Sequence, residues 1–427
     1  MPSQNPRSVR AWCLYDVANS AFATTVMAAV LPEFFSSVAA SGLDPDPERA
    51  RVLATSLWGR ANTVTMLVTA LSAPFIGALA DRLNRRKQFL ALLAFTGAIL
   101  TAGLVVVGEG DWKLAATLYV LASFAWSASL VNYDGLLPHV AAPDRLDAIS
   151  AKGFAWGYLG GGILLAVQAV AISKPSLFGL ADATQAVRLS FVSVGVWWIL
   201  FTIPLLRDVK ESGEPQSGGS LQALADTARR LVRTFAELRS HRQAFLFLLA
   251  FWLYNDGIGT ITRMGVIVGA ELQIGRSTLI GALLAVQFLG FPFTLGFGAL
   301  ARRIGPKPAI FVGLVGYMAL CVFALFLDTA RDFWILAVGV SMFQGGTQAM
   351  SRSFFASMIP FERSGEFFGF FNLSSKFAGI LGTLLLSTVG PMFGSSRYGV
   401  LGLVVLFALG AGLLARVKPS EGVRARL

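Results

Sequence analysis

The sequence is poor in cysteine, histidine and charged residues. Its 427 residues include two Cys and two His, and Asp, Glu, Lys and Arg together make up only 14%. Soluble domains carry roughly 25% charged residues, so a soluble protein is not expected. Two Cys and two His are too few for a disulfide framework or a metal cluster. We therefore expect no cofactor and no metal.

Arrangements typical of enzymes are also missing from the sequence. It contains no nucleophile–histidine arrangement and no glycine-rich phosphate loop. Hydrolases and nucleotide-binding enzymes depend on such patterns. We therefore expect no enzymatic activity.

Apolar residues dominate what is present, at 55% of the chain and a mean hydropathy of +0.65. They form long runs separated by short charged loops, which is typical of a polytopic helical membrane protein. A membrane-spanning helix needs about 20 mostly apolar residues. The predicted spans are 11–38, 52–80, 88–108, 114–138, 150–172, 187–206, 244–270, 277–301, 309–327, 332–358, 366–390 and 397–415.

The positive charges predict how these spans are oriented. Lys and Arg are concentrated in the terminal segments and in alternate loops, as the positive-inside rule requires of cytoplasmic segments. This placement explains the net charge of +11 without a nucleic-acid partner. We therefore expect both termini in the cytoplasm and an even number of spans.

The longest of these loops divides the chain into two halves. We predict an N-terminal six-helix bundle at 1–206, a cytoplasmic linker at 207–243 and a C-terminal six-helix bundle at 244–427. Between 221 and 238 of the linker, apolar residues recur at helical spacing opposite several arginines. This pattern predicts an amphipathic helix on the inner membrane surface. We expect it to act as a passive linker, and a partner-binding helix is the alternative.

Two short stretches recur once in each half. Residues 15–16 (YD) are echoed by 254–256 (YND), and residues 77–85 (GALADRLNR) are echoed by 298–305 (GALARRIG). Such parallel repeats place the substrate site near the middle of the membrane, between the halves. The fold class predicted is therefore all-α, with twelve transmembrane helices in two pseudo-symmetric halves.

Residues 77–87 (GALADRLNRRK) resemble the loop signature of the major facilitator superfamily. Asn84 stands where a glycine is usual in that signature, and Arg302 replaces its aspartate in the second half. The resemblance implies alternating access, with this loop taking part in gating. The predicted gating residues are Asp81, Arg82, Arg85 and, near the end of the fourth span, Asp134.

A narrower resemblance covers most of the chain. Residues 15–22 (YDVANSAF), 157–161 (GYLGG), 254–257 (YNDG), 345–353 (GGTQAMSRS) and 366–369 (EFFG) are similar to the vacuole-effluxer-like branch of that superfamily. The resemblance implies transport, and fungal members of the branch are implicated in amino-acid efflux from the vacuole. It does not assign a substrate to bacterial members, and for this chain we expect a bacterial inner membrane.

Several ionisable and amide side chains lie at membrane depth, where they are costly and indicate function. Asp16 shares a helix face with Asn19. Gln344, Gln348 and Arg352 follow at i, i+4 and i+8. Arg352 is expected either to bind a substrate acid group or to form a structural ion pair with Asp134 or Asp16. The predicted substrate-binding residues are Asp16, Asn19, Tyr254, Asn255, Asp256, Gln344, Gln348, Arg352 and Lys376.

These residues favour a secondary transporter for amino acids or other small polar or zwitterionic solutes. Asp16 would pair with a substrate ammonium while Arg352 or Lys376 binds its carboxylate, and proton coupling through Asp16 or Asp256 is the open question. The alternatives are an exporter of amphipathic drugs or lipids and a non-transporting receptor or scaffold. The expected partners are the small-molecule substrate, membrane lipid and protons, and a monomer is expected.

Overall fold

The structure is a computed structural model in which every regular element among the described residues is a helix. It describes residues 5–211, 242–271, 276–377, 381–382, 385 and 400–418. The predicted amphipathic helix at 221–238 lies outside these residues. The predicted boundaries 1–206, 207–243 and 244–427 stay a prediction, and "first half" and "second half" below refer to helices α1–α6 and α7–α12.

Twelve long helices follow one another along the described chain. In α1 the hydrogen bonding widens to the π-helical pattern over Phe22–Val30 and Phe35–Ala39. The helices are α1 Pro6–Ala39, α2 Pro47–Leu83, α3 Arg86–Gly103, α4 Trp112–Gly135, α5 Leu146–Ser173, α6 Ala183–Asp208, α7 Arg242–Glu271, α8 Arg276–Ile304, α9 Pro306–Ala324, α10 Ala330–Met358, α11 Ser364–Phe377 and α12 Val400–Arg416.

Most helices begin before the predicted spans, and at some of these starts a polar capping residue extends the helix. The side chain of Asn5 accepts a hydrogen bond from the backbone N–H of Arg7, and Pro6 occupies the first turn, so α1 begins five residues before position 11. Thr329 and Asp332 form a reciprocal capping box at the start of α10. The length of an apolar run predicts the part of a helix that lies in lipid, but it does not predict where a capped helix begins.

The exterior of the bundle is apolar along the helices. Among the described residues, nine helices are long and apolar enough to cross a membrane. Large side chains such as Leu71, Leu92 and Val405 are exposed on the outside, as suits contact with lipid. Together with the structural relatives reported below, this confirms the predicted fold class.

One end of the bundle contains the first and last described residues of each half. Ser8, near the start of α1, donates a hydrogen bond to the backbone oxygen of Asp208 at the end of α6. In the second half the backbone N–H of Lys418, after α12, donates to the side chain of Gln243 at the start of α7. We call this end the termini side. The positive charges predict that it faces the cytoplasm.

The halves meet along two seams, α2 against α11 and α5 against α8. Glycines allow the close approach: a Cβ on Gly77 of α2 would lie 2.0 Å from the backbone oxygen of Gly365 in α11. A Cβ on Gly298 of α8 would lie 2.7 Å from the side chain of Ala151 in α5. Hydrogen bonds between the halves, within the described residues, lie toward the termini side. The structure is therefore closed there.

Candidate functional site

Arg352 of α10 is the centre of the candidate site. It is only 3% exposed, and its guanidinium lies over three aromatic rings of the first half. The ring centroids of Trp12, Tyr133 and Phe154 are 4.8, 5.5 and 4.3 Å from the Arg352 Cζ. A guanidinium stacked on aromatic faces gains cation–π attraction where water is excluded. The second half thus inserts a cation into an aromatic pocket of the first.

The donors of Arg352 are taken up by residues of the first half. Its Nη1 lies 3.2 Å from Asp134 Oδ1 and its Nη2 lies 3.4 Å from Asp16 Oδ2. Ser150, at the start of α5, accepts from Arg352 with both its Oγ and its backbone oxygen, each at 3.0 Å. A guanidinium has five N–H donors in a rigid fork, and here they join α10 to α1, α4 and α5.

Asp16 is held by further contacts within the first half. Tyr133 donates to its Oδ2 at 2.7 Å, and the Asn19 amide donates to its Oδ1 at 3.3 Å. Glycine at 153 in α5 makes room for this arrangement: a Cβ there would lie 2.3 Å from Asp16 Oδ2 and 3.0 Å from Arg352 Nη2. The carboxylate therefore sits in a fixed position between the two halves.

Charge does not balance within this cluster. Two carboxylates, Asp16 and Asp134, share one guanidinium in a buried environment. Uncompensated buried charge is expensive, so a cationic group that enters the cluster would bind favourably at the second carboxylate. Chemically, the cluster can bind a cation at a carboxylate and exchange the guanidinium between carboxylates.

Asp81 forms a second link between the halves. It pairs with Arg86, the first residue of α3. Its two oxygens also accept from the backbone N–H groups of Gly365 and Glu366, at 3.1 and 2.8 Å. A carboxylate is favourable there because the first N–H groups of a helix are unpaired and carry partial positive charge. Asp81 thus fastens α2 to the start of α11.

The cation that pairs with Asp81 is Arg86, which is not among the predicted gating residues. Arg85 is exposed and Arg82 is half-buried, whereas Arg86 is buried and also donates to the backbone oxygen of Glu362 at 3.1 Å. The signal that could have identified Arg86 is its place as the first residue of α3. The helix directs Arg86 inward, and Arg85 stays in the loop.

The unusual Asn84 of the loop signature adopts a left-handed backbone, with φ of 50°. Gly305, its counterpart in the second half, has φ of 86°. A turn of this type favours glycine, and asparagine is among the side chains that tolerate it best. The substitution therefore keeps the turn that brings Arg86 to Asp81.

Three predicted residues of α7 make their contacts within the second half. Tyr254 shares a hydrogen bond with Ser351 at 2.6 Å, and Asn255 donates to Ser375 at 3.4 Å. Asp256 is fully buried and accepts from the backbone N–H groups of Leu381 and Gly382 at 3.0 and 2.8 Å. The structure therefore does not bring these residues to Arg352, and their predicted part in substrate binding stays a prediction.

Gln344 and Gln348 lie on the α10 face that leads to Arg352, and both are half-buried. The side chain of Lys376 lies outside the described part of the chain. The structure adds four residues that sequence reasoning missed. Trp12, Tyr133, Ser150 and Phe154 were overlooked because aromatic and hydroxyl side chains are common in apolar helices, and only the packing shows which of them face a charge.

Comparison with known proteins supports the fold on which this site is built. The sequence profile of a family described as "Vacuole effluxer Atg22 like" matches residues 4–426. The chain is 36% identical to the MFS-type transporter YxiO of Bacillus subtilis (strain 168), over 96% of this chain and 94% of the relative. It is 27% identical to Autophagy-related protein 22 of Yarrowia lipolytica, over 84% of this chain and 75% of the relative.

Among solved structures, the proton:xylose symporter XylE superposes with a TM-score of 0.73 and 13% identity, over 98% of this chain and 96% of XylE. This similarity shows the fold alone. The profile match and the YxiO similarity show the family and confirm the resemblance found in the sequence. The chain belongs to the vacuole effluxer Atg22-like family and is a membrane transporter of the major facilitator superfamily.

Proposed function

We propose that this chain transports small zwitterionic solutes, of which amino acids are the simplest class, by alternating access. The observation that carries the proposal is the buried cluster in which Asp16 and Asp134 share Arg352 between the halves. A zwitterion offers an ammonium to the carboxylate and a carboxylate to the guanidinium. The bound substrate would satisfy both groups as the halves separate.

The contacts of the cluster support the idea that a substrate replaces them when the halves separate. While the termini side is closed, Arg352 links the halves, and within the described residues Asp16 has Tyr133 and Asn19 as its other hydrogen-bond partners. When the halves separate at the termini side, Arg352 loses its carboxylates, and a substrate carboxylate can take their place. Gln344 and Gln348 are half-buried on the same face of α10, and their amides can donate to and accept from a substrate that approaches Arg352.

The location and direction follow from separate arguments. We place the termini side in the cytoplasm because the positive charges gather there, and we place the protein in the bacterial inner membrane. Membership of the vacuole effluxer Atg22-like family favours export of solute.

The test is ligand-induced thermal stabilisation of the purified protein. The panel contains amino acids, matched amines lacking the carboxylate, matched acids lacking the ammonium, and lysolipids or drugs. A ligand that binds only the folded protein raises its apparent stability with concentration. We expect stabilisation by zwitterions, reduced in Asp16→Asn and in Arg352→Lys.

Arg60→Lys is the matched control for the arginine change, because Arg60 is an exposed arginine of α2. It should leave the zwitterion response unchanged. Stabilisation by amphipathic compounds alone would replace the proposal with an exporter of drugs or lipids. Equal stabilisation by the zwitterion and by its matched amine would contradict a role for Arg352 in binding a carboxylate.

Proton coupling is a second proposal that the same cluster favours. One guanidinium cannot neutralise both Asp16 and Asp134, so a proton can occupy the cluster whenever no substrate ammonium is bound. If the proton and the substrate ammonium replace each other at the cluster, protons and substrate would cross the membrane in opposite directions. The measurement is proton release on ligand binding in weakly buffered solution, followed with a pH dye. Proton release from the wild type that is absent in Asp16→Asn is expected, and binding without proton release would contradict the coupling.

A further inference from the structure

The two seams between the halves are related by the internal repeat but differ in charge. In the α2–α11 seam, Gly77 allows close approach and Asp81 supplies a carboxylate to the start of α11. In the α5–α8 seam, Gly298 allows the same close approach, to Ala151 near the start of α5. Arg302 stands where the repeat would place the carboxylate. On the α8 side of this seam, a cation therefore takes the position that the Asp81 carboxylate has in α2.

A cavity of about 550 Å³ lies at that place on the termini side. Its lining joins the start of α1 and the start of α5 to the end of α8. The basic residues that line it are Arg10, Arg145 and Lys152 from the first half and Arg302 from the second. The acidic residue Asp147 is not among the lining residues. Four cations around one cavity create a strongly positive site.

Three of these cations are available to a ligand. Arg10, Lys152 and Arg302 are exposed, and none of the three has a carboxylate within salt-bridge distance in the described part of the chain. Apolar side chains such as Val9, Ile149 and Leu295 line the rest of the cavity. The site thus combines cationic groups with an apolar wall, which is the chemistry that receives an amphipathic anion.

We infer that this cavity binds the phosphate headgroup of an acidic membrane lipid. The phosphate would link the halves at the α5–α8 seam, as the Asp81 carboxylate links them at the α2–α11 seam. The cavity lies at the helix ends, the depth at which lipid phosphates are found, and clustered Lys and Arg at that depth attract anionic lipid. An anion that contacts Lys152 and Arg302 together bridges the halves. It therefore stabilises the conformation closed on the termini side, because Lys152 and Arg302 line the same cavity in that conformation.

The first experiment measures lipid binding to the full-length protein by native mass spectrometry. The protein is released from detergent containing phosphatidylglycerol or phosphatidylcholine in matched amounts. Arg302→Asp supplies the carboxylate that the repeat would predict and reverses one cavity charge. We expect wild type to retain phosphatidylglycerol preferentially, and Arg302→Asp to lower its occupancy by about tenfold.

Arg303→Asp is the matched control, since Arg303 is exposed, adjacent and not part of the cavity lining. It carries the same charge reversal and should leave phosphatidylglycerol occupancy within about twofold of wild type. Lys152→Ala should also reduce phosphatidylglycerol occupancy. It provides the test if Arg302→Asp does not fold. Equal losses in Arg302→Asp and Arg303→Asp would overturn the site, because binding would then follow overall surface charge.

A second arm separates the sources of phosphate. Inorganic phosphate is added to the protein in phosphatidylcholine nanodiscs, and thermal stability is measured for wild type and Arg302→Asp. No stabilisation by phosphate, with phosphatidylglycerol binding as above, supports the lipid headgroup. Stabilisation by inorganic phosphate that needs Arg302, without preferential retention of phosphatidylglycerol, would overturn the lipid assignment in favour of a soluble anion.

Discussion

The first helices of the two halves, α1 and α7, carry the same tyrosine but use their carboxylates differently. Tyr15 donates to Ser129 of α4 at 2.7 Å, and Tyr254 bonds Ser351 of α10 at 2.6 Å. Since Ser351 itself donates to the backbone oxygen of Thr347, Tyr254 is the donor in its pair. Each half thus joins its first helix to its fourth with one buried tyrosine–serine hydrogen bond.

The acidic residues next to these tyrosines differ by one position. Asp16 follows its tyrosine directly and pairs with Arg352 of the opposite half. Asp256 comes two residues after Tyr254 and binds backbone N–H groups of its own half. One position along a helix rotates a side chain by about 100°, so the shift changes the helix that each carboxylate faces. Both halves therefore keep the tyrosine–serine contact. Because of the one-residue shift, Asp16 contacts the opposite half, whereas Asp256 contacts its own half.

The largest expected effect comes from removing the cation between the halves. Arg352→Ala leaves Asp16 and Asp134 buried without their guanidinium and should destabilise the protein by about 3–5 kcal/mol. The measurement is the unfolding midpoint in detergent. Arg60→Ala, at an exposed arginine, is the control and should change stability by less than about 0.5 kcal/mol. Equal effects of the two substitutions would contradict a special role for Arg352.

Asp256→Asn tests the carboxylate that stays within one half. The amide keeps only one acceptor for the two backbone N–H groups of Leu381 and Gly382, so we expect a loss of about 1–3 kcal/mol in stability. The affinity for a zwitterionic ligand should remain within about threefold of wild type, in contrast to Asp16→Asn. Thermal unfolding with and without ligand measures both quantities. A ligand affinity that falls as much as in Asp16→Asn would place Asp256 in the substrate site.

Gly153→Ala tests how closely α5 must approach the cluster. The added methyl would meet Asp16 and Arg352, and such overpacking typically costs about 1–3 kcal/mol. A Cβ on Gly296 of α8 would meet nothing within 4 Å, so Gly296→Ala is the matched control. The thermal midpoint is expected to fall only for Gly153→Ala. A fall of equal size in Gly296→Ala would show that any added methyl in these helices is costly.

The smallest effects are expected where the halves are alike. Tyr15→Phe and Tyr254→Phe each remove one buried hydrogen bond, and each should cost about 0.5–1.5 kcal/mol. Because the two bonds lie in different halves and share no partner, the double variant should show additive losses. Chemical denaturation of the four proteins measures this. Strong non-additivity would contradict the separation of the halves.

The helices could be predicted from the sequence, and the partners of the buried charges only in part. Apolar length identified the spans because lipid imposes it, whereas caps such as Asn5 and Thr329 moved the helix ends. For Arg352 the sequence offered a substrate or a pair with Asp134 or Asp16, and the structure shows contacts with both carboxylates. Periodicity gives the face of one helix, but the pairing depends on how four helices from both halves pack.

In the gating loop, too, the sequence does not determine which residue pairs with a buried charge. The signature identified Asp81 but not its cation, since Arg85 and Arg86 are adjacent and chemically identical. The choice of Arg86 depends on the left-handed turn at Asn84 and on where α3 begins. A one-residue difference in helix start decides which arginine reaches the carboxylate, and a pattern of charges does not contain that information.

We expect Arg352 to hold the two halves together on the termini side. The most direct test is the distance between spin labels at Arg85→Cys and Lys418→Cys, two exposed positions in opposite halves on that side. The native thiols of Cys13 and Cys321 are buried, so the labels react at the introduced sites. Double electron–electron resonance should show a short distance in wild type and a shift to a longer one in Arg352→Lys or Arg352→Ala. Identical distance distributions in wild type and both variants would contradict the claim.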